Sequence, residues 1–111
     1  MKEWKVVYTE QAERDLRNIF EYIAFTLLEP EIAKNQSRRI MGAVTNLSDF
    51  SLRYSLYQKE PWHSKGLRVL PIDNYLAFYL PVETKVTIVV IRIMYGGRDI
   101  EEQLSQTEAG V

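Results

Sequence analysis

In the last two-fifths of this chain six residues have the side chains to hold or cut a phosphodiester: Arg68, Tyr75, Tyr79, Arg92, Tyr95 and Arg98. A guanidinium grips phosphate through two parallel N–H bonds, and a phenol stacks on a base or moves a proton. Arg92, Tyr95 and Arg98 fall within a single short stretch, RIMYGGRD, that follows the most apolar run in the chain. A second reading is purely structural. Tyrosines on strands are core residues with a wet tip, and an arginine on a buried strand pairs with a carboxylate such as Asp99. Arg98-Asp99 then ends a strand and caps a short helix.

Other chemistries find little support. No GxGxxG, P-loop, HExxH or GxSxG pattern is present. With no cysteine and a single histidine, there is no thiol nucleophile and little from which to build a transition-metal site. No cofactor is expected. The formal net charge of −1 provides no global basic field for gripping nucleic acid. The longest apolar run falls well short of the roughly 20 residues a membrane helix needs, and MKEWKVVYTE lacks an apolar signal core. A cytoplasmic protein of one domain, 1–111, is the expectation. His63, the sole histidine, follows Pro61-Trp62. It belongs either to an exposed contact pair with Trp62 or to a partly packed loop with a solvated imidazole.

The elements that must position these residues can be read from periodicity. Residues 4–9, WKVVYT, are aromatic and β-branched, as a short strand requires. Thr9 is placed to cap a helix over 11–28, where Ala12, Leu16, Ile19, Phe20, Ile23, Ala24 and Leu27 form one apolar stripe and Glu13, Arg14, Asp15, Arg17 and Glu21 the polar side. Pro30 breaks the chain, and 32–49 repeats a helical pattern through Ala33, Ile40, Val44 and Leu47. So short a connection predicts an antiparallel helical hairpin. Gly42 inside the second helix suggests a close crossing. Residues 50–65 show no period. A loop of that length in a compact domain is often functional.

Three strands follow: 66–70, 75–80 and 86–93, joined by turns at 71–74 and 82–85. On the second, Tyr75, Ala77 and Tyr79 share one face and Leu76, Phe78 and Leu80 the other. The last is apolar on both faces, with Val86, Ile88 and Val90 opposite Val89, Ile91 and Ile93. It is therefore a central strand covered on both sides. Gly96-Gly97 would then let the chain turn at positive φ. The predicted order is β-α-α-β-β-β, an α+β fold with a helical hairpin packed on an antiparallel sheet.

With that order on the page, the chain resembles the RelE/ParE superfamily of bacterial type II toxins. GLRVLPIDNYLAFYLPV is similar to the family's strand pair, and VTIVVIRIMYGGRDIEEQL to the ParE-type ending, an apolar run followed by Arg and then Arg-Asp-Ile. Ala12, Asp15 and Leu16 with Tyr22-Ile23-Ala24 are similar to the ParE-type first helix. The resemblance covers nearly the whole chain.

It implies a small toxin held inactive by a cognate antitoxin in a hetero-oligomer, the antitoxin wrapping an extended or helical segment around the toxin. Two activities occur in the superfamily. RelE-like members cut mRNA on the ribosome with strand arginines and a C-terminal Tyr or His; ParE-like members inhibit DNA gyrase by binding. Here Leu76, Gly96 and Ile100 stand near positions where RelE-like members carry catalytic residues. That favours the ParE-like reading. Tyr95, where the ParE-type ending usually has His, keeps a nuclease of Arg68, Arg92, Tyr95 and Arg98 open as the alternative.

Overall fold

The computed structural model describes residues 3–49, 52–97 and 99–107. A short strand, β1 (Lys5–Tyr8), leads into helix α1 (Glu10–Glu21). The Thr9 hydroxyl accepts the Ala12 N–H at 3.1 Å and donates to the Ile91 carbonyl at 3.0 Å. One side chain thus caps the helix and ties its start to a distant strand. From Tyr22 to Thr26 the helix widens into a π turn, which places one extra residue in the coil. Helix α2 (Pro30–Thr45) begins with proline in its first turn, where no N–H partner is needed, and returns antiparallel to α1.

The remaining elements are a one-turn helix α3 (Trp62–Lys65), strands β2 (Arg68–Ile72), β3 (Tyr75–Val82) and β4 (Thr87–Tyr95), and the short helix α4 (Ile100–Ser105). The strands form one sheet in the order β1-β4-β3-β2. The β2–β3–β4 meander is antiparallel, as predicted. However, β1 pairs with β4 in parallel, Lys5 beside Thr87 through Tyr8 beside Val90, so the sheet is mixed. The helical hairpin between β1 and the meander forces this: an up-and-back excursion returns the chain to the other side of β4 without reversing β1.

Several boundaries differ from the predicted ones for local reasons. Pro71 and Ile72 belong to β2 rather than to the turn, since proline is tolerated on an edge strand. The reversal is made by Asp73-Asn74 alone, with Asp73 at φ 55°. Gly96 and Gly97 are not at positive φ. A side chain on Gly96 would meet the Asn74 carbonyl at 3.3 Å, and one on Gly97 would strike the Tyr95 ring at 2.6 Å. They are glycines for close approach. At Gly42 nothing lies within 4 Å of an added Cβ, so no helix crossing explains it.

The sheet is apolar on both faces. Against the helices lies a core of Ala12, Ile40, Val44, Ala77, Tyr79, Ile88 and Val90 with their neighbours. On the opposite face Trp62, Leu67, Phe78, Leu80, Ile91, Met94 and Leu104 form a second core. The 52–65 segment, α3 and α4 cover that face. Trp62 is therefore buried, and the exposed Trp-His pair does not form. The half-exposed His63 places Nδ1 3.8 Å from the Glu60 carboxylate. The same segment hydrogen-bonds along the outer side of β2, from Tyr57 N–H to Leu67 O and Val69 N–H to Ser55 O.

Candidate binding site

The alternation expected for the last strand fails at one point. The β3–β4 register slips between Phe78 and Tyr79, which face Arg92 and Val90. The extra residue is a β-bulge, and it reverses which face the following residues meet. Ile93 consequently joins Ile88 and Val90 in the helix-side core, while Met94 joins Ile91 on the other side.

At this bulge Arg92 turns onto helix α1. Its Nε donates to Asp15 Oδ2 at 2.7 Å and its Nη2 to Oδ1 at 3.1 Å, a bidentate pair. Asp15 Oδ2 also accepts the Ile93 N–H at 2.9 Å, and Arg92 Nη1 reaches Gln103 O at 3.3 Å and Thr107 Oγ1 at 3.0 Å. Arg92 is buried, so its charge is taken up by α1 and α4. The predicted burial and carboxylate pairing of Arg92 hold, but the partner is Asp15, which the periodicity put on the polar side of α1. Asp99 instead accepts the Glu102 N–H as the cap of α4.

The other predicted residues are not gathered with it. Arg68, on β2, gives Nη1 to the carbonyls of Leu52 and Tyr54. Tyr79 is fully buried beside it. Burial pushes its phenol up to about 12, against the opposing pull of Arg68 and the Tyr54 backbone. Arg98 lies outside the described residues. Tyr95 is half exposed at the end of β4, edge-on to Tyr75 with ring centroids 5.9 Å apart. Burial, then the neighbouring Tyr95 and Tyr22 phenols, raises the pKa of Tyr75.

These three tyrosines line a groove of about 720 Å³ between the second half of α1 and the adjacent ends of β3 and β4, with Ile23, Leu27 and Met94 supplying apolar wall and Asp15 one end. Such a concave, mostly apolar surface with a few polar tips has the form of a ligand or partner site. Sequence reasoning named Tyr22 only in the family resemblance and Leu27 only in the apolar stripe, neither as a site residue. The π turn shifts the helical phase, so Tyr22 and Leu27 are more than half exposed. Among the described residues no cluster of His, Cys, Asp and Glu could hold a metal, and no helix is long and apolar enough to cross a membrane.

Comparison with known proteins places this arrangement. No curated protein sequence matches the chain. Among solved structures, the fold is similar to a chain of the chromosomal ParDE toxin-antitoxin system from P. aeruginosa, with TM-score 0.68 and 24% identity over 84% of this chain and 96% of that one. It is also similar to a chain of the RelBE2 toxin-antitoxin complex from Mycobacterium tuberculosis, with TM-score 0.61 and 21% identity over 84% of this chain and 98% of that one. The family model for the ParE toxin of the type II toxin-antitoxin system parDE matches residues 6–100, and the chain belongs to that family.

Proposed function

We propose that this ParE-family toxin arrests growth by binding DNA gyrase rather than by cutting RNA, and that a cognate antitoxin neutralises it in a cytoplasmic hetero-oligomer. The observation that carries this reading is the engagement of Arg92. A nuclease needs a cation free to hold the scissile phosphate and an acid or base within reach of it. Arg92 is buried and bonded to Asp15 from two nitrogens. Arg68 and Tyr95 are far apart. Along β3 their partners are Tyr79 and Tyr75. Four residues of strand correspond to about 13 Å. The net charge of −1 adds no attraction for ribosomal RNA.

The test is a supercoiling assay with purified gyrase and toxin. Supercoiling should fall as toxin is added, and should return when antitoxin is supplied. Normal supercoiling at large molar excess of toxin rejects the reading. The exposed Tyr95 ring, free to stack on a base, favours the ribosome-dependent mRNA endonuclease as the second reading. Codon-positioned cuts in primer extension, lost in Tyr95→Ala, would establish it instead.

A further inference from the structure

Two rings at the sheet end of the groove are set in place before anything binds. Tyr95 is half exposed, yet its ring is held from two sides. It meets the Tyr75 ring at 73°, with centroids 5.9 Å apart, and it lies so close to Gly97 that a Cβ there would stand 2.6 Å from it. Glycine at 97 is thus what lets the ring rest against its own backbone. A large ring fixed while still open to water has already lost the freedom that binding would otherwise cost it. Tyr22 stands on the opposite wall, more than half exposed, and its phenol is near enough to be felt by that of Tyr75.

The charges of the walls select the ligand. Among the described residues that line the groove there is no lysine, arginine or histidine, so a phosphate or carboxylate meets no cation. The one carboxylate is Asp15, and both its oxygens are committed to Arg92. A primary ammonium, with three N–H donors to satisfy, therefore meets no free anion. A quaternary ammonium has neither requirement. It carries no donor, its methyl groups suit the apolar wall of Ile23 and Met94, and its charge is drawn to the negative faces of tyrosine rings. The corner between Tyr75 and Tyr95 lets one cation lie within about 6 Å of both ring centroids. We propose that the groove is a binding site for a trimethylammonium group, seated in the corner of Tyr75 and Tyr95 and faced by Tyr22. The toxin reading above neither requires this site nor falls with it.

Titration of the purified full-length protein with choline and with 3,3-dimethylbutanol, its neutral isostere, separates charge from shape, read by calorimetry or by NMR shifts. Choline should bind at least about fivefold more tightly than the alcohol. Tyr95→Leu and Tyr22→Leu, both at exposed positions, should each weaken choline about fivefold with a melting temperature close to that of the wild type. Tyr95→Phe keeps the ring and should hold the affinity within about twofold, as should Phe25→Leu, an exposed aromatic outside the groove. Trimethyllysine amide, titrated beside choline, distinguishes a modified protein side chain from a free solute as the source of the group: the tighter ligand identifies it. Equal affinity of the wild-type protein for choline and the neutral alcohol, or no choline binding up to about 50 mM, overturns the proposal. So does wild-type affinity in Tyr95→Leu.

Discussion

Asp15 serves two elements at once: both oxygens take Arg92, and one of them also takes the backbone N–H of Ile93, 77 and 78 residues along the chain. Removing one member of such a pair leaves an uncompensated charge in the interior, which costs far more than the intact pair contributes. Asp15→Asn should therefore lower the unfolding free energy by about 3–5 kcal/mol, measured by urea titration. A loss under about 1 kcal/mol would mean that water reaches the pair. At this scale the sequence was half legible. Arg92 stood out as a charge within an apolar strand, and its need for a carboxylate followed from burial. Asp15 stood out only within the family resemblance and not as the partner of Arg92, because a charge next to an apolar stripe reads as solvated. Only the bulge, which has no residue-type signature, aims Arg92 at it.

Elements were more legible than their interruptions. Periods of 3.6 and 2 located both long helices and all four strands, and the Thr9 cap was readable because a hydroxyl at that position has one good use. The π turn and the bulge each insert one residue into a regular element and move every later side chain to another face. That is why Leu27 is in water and Ile93 is against the helices. The parallel docking of β1 was not legible either, since a strand pattern carries no direction. Gly42 remains without a structural reason: it is exposed in the interior of α2 and has open space where a Cβ would go. Gly42→Ala should raise stability by about 1 kcal/mol, visible as a higher melting temperature, through helix propensity alone. A destabilised variant would show that the position is more crowded than its surroundings indicate.

In the whole molecule, the sheet is the middle layer of three, with a core on each face. The stretch that looked structureless forms much of the third layer. Its aromatic and apolar residues follow no period because they cover a sheet face from an irregular backbone. Trp62→Ala should cost about 3–5 kcal/mol by thermal or urea unfolding, a core-sized loss from a residue in an apparent loop. A loss under about 1 kcal/mol would make the second core a surface cover. The candidate groove was the least legible feature, since its walls come from α1, β3 and β4 and meet only once the sheet is assembled. That assembly has an order in time. The hairpin can form from local contacts, but β1 has no partner until β4 exists, and Thr9, Asp15 and the groove all wait on the same strand. Contacts between segments some eighty residues apart close late and slowly. During synthesis, the helical face is therefore present well before the surface that completes it. The interval before β4 emerges is one in which the chain carries its helical segments but no finished toxin.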